Sequence, residues 1–325
     1  MCTAITYQTK DFYFGRTLDY DISFEEEVVI TPRNYPFSFL EMDCLSSHYA
    51  IIGMAHVAQA YPLYFDAVNE KGLAMAGLNF LGNAHYRKSI PGADNVASFE
   101  LVPWILGQCA TVKEAEILLS RLNLTDAAFS DELSPTDLHW LLADRKGGLV
   151  LEPNRGGLRI YDNPAGVLTN NPPFPQQLEN LNNYMHLSPE EPKNRFSQAL
   201  DLKPYSRGMG ALGLPGDLSS QSRFVRAAFT RWNSISGDTE LESVGQFFHI
   251  LETVSQTNGC CRLENGNCEK TLYTSCCNAN QGIYYYTTYE NRRIIGIRMH
   301  GENLDGENLI RYPLVRQEQI RMENA

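Results

Sequence analysis

The sequence predicts an α+β protein in which two antiparallel β-sheets are covered on the outside by helices. Its strand-like segments form separate blocks with pairs of helices between and after them, whereas a doubly wound parallel sheet needs strict alternation. The strands are short alternating runs joined by turns, which is typical of antiparallel sheets. The 325 residues contain no internal repeat and no clear linker, so we expect a single domain over residues 1–325.

The first third of the chain is predicted to be mostly strands. Residues 3–9 and 12–19 alternate and are rich in β-branched and aromatic side chains, and the "KD" pair between them suits a tight hairpin. Residues 69–72, "NEKG", predict a turn between "YFDAV" and "LAMAG". Further strands are predicted at residues 26–33, 50–57 and 73–80.

Two pairs of helices are predicted from apolar residues spaced three and four apart. Thr111 and Glu114 predict a capping box at the start of the second helix. The four segments are residues 98–110, 111–122, 221–234 and 240–255.

The remaining strands form two later blocks. The earlier block comprises residues 138–145, 148–154, 157–162 and 166–170, and the later block comprises residues 271–279, 282–290 and 292–299. Residues 172–220 are rich in Pro, Gly, Asn and Ser, and this composition predicts long loops.

The charge and the hydropathy pattern limit the classes of partner. A net charge of −11 disfavours nucleic acid and anionic membranes, because both attract basic surfaces. The first residues lack the basic and apolar regions of a signal peptide, and no run reaches the length of a membrane helix. We therefore expect a cytoplasmic protein.

Eight cysteines allow a second class of function, a metal-binding or redox protein. Without a secretion signal they are expected to be reduced thiols. The late cysteines follow the pattern CC-x6-C-x7-CC over residues 260–277, which lacks the C-x2-C pairs of structural zinc sites. Adjacent cysteines on a strand also point to opposite faces. No metal and no cofactor is expected, and some of these thiols are interpreted as small buried apolar residues.

The cysteine at position 2 suggests a nucleophile. Initiator Met1 is normally removed before a small residue, which would leave Cys2 with both a thiol and a free α-amine. The ordinary pKa values of these groups are about 8.5 and about 7.7–8.0, so each is partly deprotonated near neutral pH. One residue could then supply nucleophile and base without a histidine. The alternative is that Cys2 is incidental.

Arg16 and Asp19 in "FGRTLD" are predicted to lie one strand away from Cys2. Simple hairpin counting places residue 2 opposite residue 19, approximately. A guanidinium near the thiol would stabilise the thiolate, and a carboxylate could orient the α-amine. The alternative for this pair is an ordinary surface salt bridge.

Several motifs in order give the sequence a resemblance to a known family. "MCT", "FGRTLD", "NEKGLAMAGLNF", "GVLTNNP", "GLPGD…SRFVR" and "YTSC…GIYYYTTYENRRI" run from residue 2 to about residue 312. They resemble the choloylglycine hydrolase family, which contains bile salt hydrolases and penicillin V acylases and belongs to the N-terminal nucleophile (Ntn) hydrolases. The resemblance implies a four-layer αββα sandwich, amide hydrolysis with Cys2 as nucleophile, and a homotetramer.

The resemblance also implies roles for individual residues. Arg16 would tune the thiol and Asp19 would hold the amine. The expected residues of the oxyanion site and the remaining active-site arginine are Asn79, Asn170 and Arg223. The family often has Asn-Ser-Pro or Asn-Thr-Pro where this chain has Asn170-Asn171-Pro172, and we favour Asn170 as the functional residue. Without the resemblance, turn formation would equally explain the asparagines, and an exposed helix charge would explain Arg223.

The "GLNF" context of Asn79 resembles bile salt hydrolases, because several penicillin V acylases have tyrosine there. The expected substrates are therefore conjugated bile salts of the glycocholate and taurocholate type. Penicillin V or an acyl-homoserine lactone is the alternative substrate for the same chemistry. A steroid needs an apolar surface, and the residues predicted to provide it are Leu18, Phe65, Phe129 and Leu133, each of which could instead belong to the core.

Overall fold

A computed structural model describes residues 1–324, and its first β-sheet has seven strands, all antiparallel. These strands are β1 (Cys2–Gln8), β2 (Phe12–Tyr20), β12 (Val167–Leu168), β13 (Cys261–Arg262), β14 (Cys268–Asn278), β15 (Ile283–Thr288) and β16 (Asn291–Arg298). Their spatial order is β12-β1-β2-β14-β15-β16, with β13 paired to β14. The N-terminal strand β1 therefore lies inside the sheet, where it has neighbours on both sides.

The second sheet has eight strands and is also antiparallel. They are β3 (Glu27–Thr31), β4 (Ile51–Ala58), β5 (Tyr61–Asn69), β6 (Ala74–Asn79), β9 (Leu138–Asp144), β10 (Gly147–Asn154), β11 (Gly157–Asp162) and β17 (Ile310–Pro313). Their order is β11-β10-β9-β6-β5-β4-β3-β17. A small separate parallel pair is formed by β7 (Asp94–Ala97) and β8 (Leu122–Thr125).

Helices cover the outer face of each sheet. The second sheet is covered by α1 (Leu101–Gln108) and α2 (Val112–Leu119), and the first by α4 (Ser220–Asn233) and α5 (Glu240–Glu252). The two sheets pack on each other through β1, β2 and β6, and α3 (Phe174–Asn180) packs on α4. The layers are thus α, β, β, α, and the predicted αββα sandwich of two antiparallel sheets is confirmed.

Burial on both faces gives the central strands an unusual composition. All residues of β2 except its last are buried, since one face meets the second sheet and the other meets helices. Polar side chains are nevertheless buried on these strands, at Thr3 on β1 and at Arg16, Thr17 and Asp19 on β2. Burying such groups is costly unless they are hydrogen-bonded, so each must have partners within the protein.

The helix starts are only partly as predicted. The Thr111 hydroxyl accepts a hydrogen bond from the Glu114 amide at 3.2 Å, as expected for a cap. The Glu114 carboxylate, however, accepts from the Ala110 amide instead of the Thr111 amide, so the box is not reciprocal. A reciprocal capping box is present at α5, between Thr239 and Glu242.

The segment predicted as long loops contains one α-helix, α3, and two short 3-10 helices, Leu181–Tyr184 and Met209–Ala211. Pro173 precedes α3 and Pro175 lies in its first turn, where the missing proline N–H breaks no helical hydrogen bond. The short strands β7, β8 and β17 were also not predicted, because four-residue runs carry little periodicity. Within residues 1–324 no helix is both long enough and apolar enough to cross a membrane.

The cysteines predicted to be thiols are all unpaired. Cys276 and Cys277 are buried on β14, and Cys260 is exposed. In the described part of the chain, no three His, Cys, Asp or Glu side chains are grouped as metal ligands.

Candidate active site

The register between β1 and β2 decides which side chains surround Cys2. Cys2 pairs with Leu18, one residue away from the predicted partner, Asp19. The loop between the strands has three residues, 9–11, because Gln8 pairs with Phe12; the predicted two-residue turn would have shifted the pairing by one. Directly opposed residues share a face of the sheet, so Cys2, Leu18 and Arg16 project together, and Asp19 projects to the opposite face.

Arg16 projects between the two sheets and is almost completely buried. Its Nη1 donates to the carbonyl of Phe65 at 3.2 Å and to the carbonyl of Gly77, and its Nε donates to the carbonyl of Thr17. Nη2 has no protein partner within residues 1–324. The guanidinium is thus fixed by strand carbonyls, and the two hydrogens of Nη2 remain without a partner among the described residues.

The charge of Arg16 is retained despite its burial. Burial alone would lower its pKa, but the negative groups around it, led by the thiolate form of Cys2, raise the pKa further above its usual range. Packing explains the glycine at position 15, because a Cβ there would overlap the backbone of Ser275 on β14. Gly15 therefore lets β2 approach β14 closely, and Arg16 places a positive charge on the face of the sheet that carries the thiol.

Asp19 lies on the face of the first sheet that is covered by helices. Its carboxylate accepts hydrogen bonds from the Thr271 hydroxyl at 2.6 Å and from the Thr17 hydroxyl at 3.2 Å. Its backbone pairs with Met1, since the Asp19 amide donates to the Met1 carbonyl at 2.8 Å and the Met1 ammonium donates to the Asp19 carbonyl. The Met1 ammonium also lies 3.3 Å from the Glu269 carboxylate.

Asn170 and Arg223 meet at the backbone of Cys2. The Asn170 Oδ1 accepts from the Cys2 amide at 2.8 Å and from the Arg223 Nη2 at 2.7 Å. The Arg223 Nη1 donates to the Cys2 carbonyl and to the Thr3 hydroxyl. Arg223 is fully buried, and burial lowers its pKa, an effect partly offset by Asp19 and Cys2.

Asn79 lies at the end of β6, next to Asn170. Its carbonyl accepts a hydrogen bond from the Asn170 Nδ2 at 2.7 Å, which uses one of the two hydrogens of that amide. The side-chain Oδ1 of Asn79 is buried and has no partner among the described residues. Asn171 points elsewhere, because its exposed amide donates to the Leu81 carbonyl at 2.9 Å. Asn170, the favoured residue, is therefore the asparagine in contact with Cys2.

The loop that carries Asn170 is held by residues that sequence reasoning missed. The Ser220 hydroxyl accepts from the Asn170 amide at 2.8 Å. Gln177 donates to the Asn170 carbonyl at 2.6 Å and accepts from the Thr169 hydroxyl at 2.9 Å. Gln177 lies in the segment predicted as loops, where α3 was not expected, and no signal in the sequence indicated its role.

An apolar cavity of about 170 Å³ lies beside β5, and neither Cys2 nor the polar residues around it line this cavity. Phe65, Phe129 and Leu133 line it, whereas Leu18 does not and is buried opposite Cys2. Phe129 packs edge-on against Phe99, with ring centroids 5.2 Å apart. Phe65 links the cavity to the residues around Cys2, because it lines the cavity and its carbonyl accepts a hydrogen bond from Arg16. Three of the four predicted apolar residues thus lie around one space.

Comparison with known proteins agrees with this arrangement. Residues 2–312 match the family described as linear amide C–N hydrolases, choloylglycine hydrolase family. The chain is 54% identical over 304 residues to the bile salt hydrolase/transferase of Lactiplantibacillus plantarum, covering 94% of each chain. It is 37% identical over 316 residues to the protein of the same description from Clostridium perfringens, again covering 94% of each.

Solved structures give the same result. A mutant conjugated bile acid hydrolase from Clostridium perfringens superposes with a TM-score of 0.92 at 35% identity over the whole of both chains. Penicillin V acylase from Agrobacterium tumefaciens shares the fold, with a TM-score of 0.76 at 21% identity over 97% of this chain and 92% of that one. The protein therefore belongs to the choloylglycine hydrolase family of linear amide C–N hydrolases.

Proposed function

We propose that this protein hydrolyses the amide bond of glycine- or taurine-conjugated bile salts, with Cys2 as the nucleophile after removal of Met1. The observation that carries the proposal is that Asn170 and Arg223 both hydrogen-bond to the backbone of Cys2, with Arg16 on the same face of the sheet as the thiol. The relatives named above, which are described as acting on bile salts, support the choice of substrate.

In the first step Cys2 supplies both the nucleophile and the base. Loss of Met1 gives Cys2 a free α-amine, whose ordinary pKa of about 7.7–8.0 suits a base near neutral pH. The α-amine takes the thiol proton, directly or through a water molecule, and the thiolate sulfur attacks the amide carbonyl carbon. The C=O double bond opens to an oxyanion. Asp19 would orient the α-amine, and Arg16 would stabilise the thiolate.

The tetrahedral intermediate then collapses. The C–N bond breaks, the α-ammonium returns its proton to the departing nitrogen of glycine or taurine, and a thioester remains on Cys2. Water, losing a proton to the same α-amine, attacks the thioester and releases the free bile acid and the thiol. An amine in place of water would form a new amide and release the same thiol.

The oxyanion needs donors that are in place before the reaction. The second hydrogen of the Asn170 Nδ2 would serve this purpose, with Asn79 beside it. Arg223 would act on Asn170 and on the Cys2 backbone, and not on the substrate, because its hydrogen bonds are already directed to them.

The acyl part of the substrate would occupy the apolar cavity in part. Pockets for small ligands usually enclose about 300–1,000 Å³, more than the cavity between Phe65, Phe129 and Leu133 provides. We propose that one end of the steroid enters this space while the rest lies across its opening. The anionic glycine or taurine would point away from it.

The test compares wild-type protein with Cys2→Ala and with Cys109→Ala, which removes another buried thiol. Glycocholate, taurocholate, penicillin V and an acyl-homoserine lactone are supplied side by side. We expect bile salts to be turned over fastest, by the wild type and the Cys109 variant only. Full activity of Cys2→Ala would refute the mechanism, and faster turnover of penicillin V or the lactone would refute the substrate.

We also propose a homotetramer, on the family resemblance alone. The molar mass from light scattering should be about four times the chain mass of 36.7 kDa.

A further inference from the structure

Asp66 is a buried carboxylate on β5 that the mechanism above does not use. It is 1% exposed. Its Oδ1 accepts from the Tyr273 hydroxyl at 2.6 Å, and its Oδ2 accepts from the hydroxyls of Tyr284 and Ser275 at 2.7 and 2.9 Å. Three hydroxyls thus converge on one carboxylate between the sheets.

The three hydroxyl partners can all donate to an ionised Asp66. The Ser275 hydroxyl also accepts from the Arg16 backbone amide at 3.1 Å, so its own hydrogen is free to go to Asp66. Burial raises the pKa values of Tyr273 and Tyr284 well above their ordinary range, so both phenols remain donors. An ionised carboxylate only accepts hydrogen bonds, and three donors satisfy it.

Asp66 is adjacent to Arg16 without touching its guanidinium. The Arg16 Nη1 binds the carbonyl of Phe65, the residue directly before Asp66, and Ser275 links the Arg16 backbone to the Asp66 carboxylate. Within residues 1–324 the two charged groups form no direct ion pair. The thiolate form of Cys2 and the Asp66 carboxylate are both among the negative groups that raise the pKa of Arg16 against the effect of burial.

We propose that Asp66 is a positioning residue of the cysteine site, a buried counter-anion of Arg16 whose charge limits how strongly Arg16 favours the Cys2 thiolate. With Asp66 ionised, Arg16 is already balanced, and a thiolate adds uncompensated negative charge. With a neutral residue there, the thiolate becomes the nearest counter-charge of Arg16. The inference rests on the proposed function only in taking the Cys2 thiol as the reactive group.

Other charged and titratable groups face the same space and are unchanged in the test. Burial raises the pKa of Asp66, and Arg16 and the three hydroxyls act against that rise. The groups around Asp66 and Cys2, taken from every neighbouring element, are Arg16 and Asp19 on β2, Tyr273 and Cys277 on β14, Tyr284 on β15, Arg223 on α4, Tyr20 and Glu269 near the strand ends, and, in the mature protein, the α-amine of Cys2.

The experiment measures the pH dependence of alkylation of Cys2 by iodoacetamide in the mature full-length protein. Mass spectrometry of the N-terminal peptide separates Cys2 from the other thiols. We expect Asp66→Asn to lower the pH midpoint of Cys2 alkylation by about one unit. This shift is at the lower end of what a nearby charge causes. Because a thiolate of lower pKa is less nucleophilic, the rate should rise only about three- to fourfold below the midpoints and fall about threefold above them.

A matched control and a second neutral variant accompany this measurement. Cys277→Ala removes a buried side chain beside Asp66 without changing charge, and its midpoint should equal that of the wild type. Asp66→Ser is a second neutral replacement that should shift the midpoint in the same direction, and it carries the test if the Asn variant does not fold.

An unmoved midpoint in folded neutral variants, with only a lower Tm, would overturn the proposal and leave Asp66 a structural residue. Alkylation needs no substrate, so the proposed function can fail independently. A shifted midpoint in a protein that does not hydrolyse glycocholate would support the role of Asp66 and refute the substrate.

Discussion

Replacing Asn170 by aspartate separates the donor role of its side chain from its acceptor role. Oδ1 accepts from the Cys2 amide and from Arg223, and a carboxylate oxygen can still accept both hydrogen bonds. Nδ2 donates to the Asn79 carbonyl at 2.7 Å, and in the variant an oxygen would replace this nitrogen. Asn170→Asp therefore keeps the two hydrogen bonds that Oδ1 accepts and loses the donor group of the Asn170 side chain, at nearly constant volume.

The magnitude follows from these contacts. Loss of one oxyanion donor costs about 3 kcal/mol of transition-state stabilisation, or roughly 10²-fold in kcat. Loss of the hydrogen bond to Asn79 leaves two acceptor oxygens facing each other and costs about 2–3 kcal/mol of folding free energy, while the new charge-assisted bond to Arg223 returns about 1 kcal/mol. We therefore expect kcat to fall about 10²-fold while the free energy of unfolding falls by about 1–2 kcal/mol.

The assay is steady-state hydrolysis of glycocholate, with urea unfolding of the same samples. Asn171→Asp is the matched control, since the side chain of the neighbouring Asn171 is exposed and bonds only to the Leu81 carbonyl. Its kcat should remain within about twofold of the wild type, because surface substitutions usually have small effects. Equal losses of kcat in the two variants, or a kcat of Asn170→Asp within threefold of the wild-type value, would refute the donor role of Asn170.

Three further predictions concern neighbouring parts of the molecule. Arg223→Lys keeps the charge but cannot reach all four acceptors, so the free energy of unfolding in urea should fall by about 2–3 kcal/mol and kcat by at least about tenfold. Phe129→Ala should raise KM for glycocholate about tenfold with little change in kcat, because burying a phenyl ring contributes about 1.5–3 kcal/mol. Hydrogen bonds from Ser219 and Ser222 lower the pKa of Asp217 to about 2. This depressed pKa stabilises the wild type above pH 4, and the contribution disappears as the pH falls towards 2. In urea unfolding at pH 7 and pH 3, Asp217→Asn should therefore be less stable at pH 7 by under about 1 kcal/mol, since Asp217 is exposed, and the difference should shrink at pH 3.

The sequence predicted the layers and most long strands because their apolar patterns are local. The turn between β1 and β2 was predicted one residue too short, and this error changed the face on which Asp19 lies. Turn length is set by backbone geometry that "QTKDF" does not reveal on its own. Cys2, Arg16 and Asp19 could still be grouped, since neighbouring strands bring them together under either register.

Residues whose hydrogen-bond partners are distant in the sequence could not be found from local sequence patterns. Asp66 receives its hydrogen bonds from β14 and β15, more than 200 residues away, and nothing in "YFDAV" distinguishes it from an ordinary strand residue. Gln177 and Ser220 likewise act on Asn170 through a fold that a single sequence does not specify residue by residue. Asn79, Asn170 and Arg223 were predicted only through the family resemblance.

The central claim, that Cys2 carries the acyl group, is tested most directly by trapping the intermediate. Mature protein is mixed with glycocholate, quenched in acid within the first turnover, and digested for mass spectrometry of its N-terminal peptide. We predict a peptide that begins at Cys2, lacks Met1 and carries one cholyl group on the thiol. A cholyl group on another residue, or turnover by protein that retains Met1, would contradict the account.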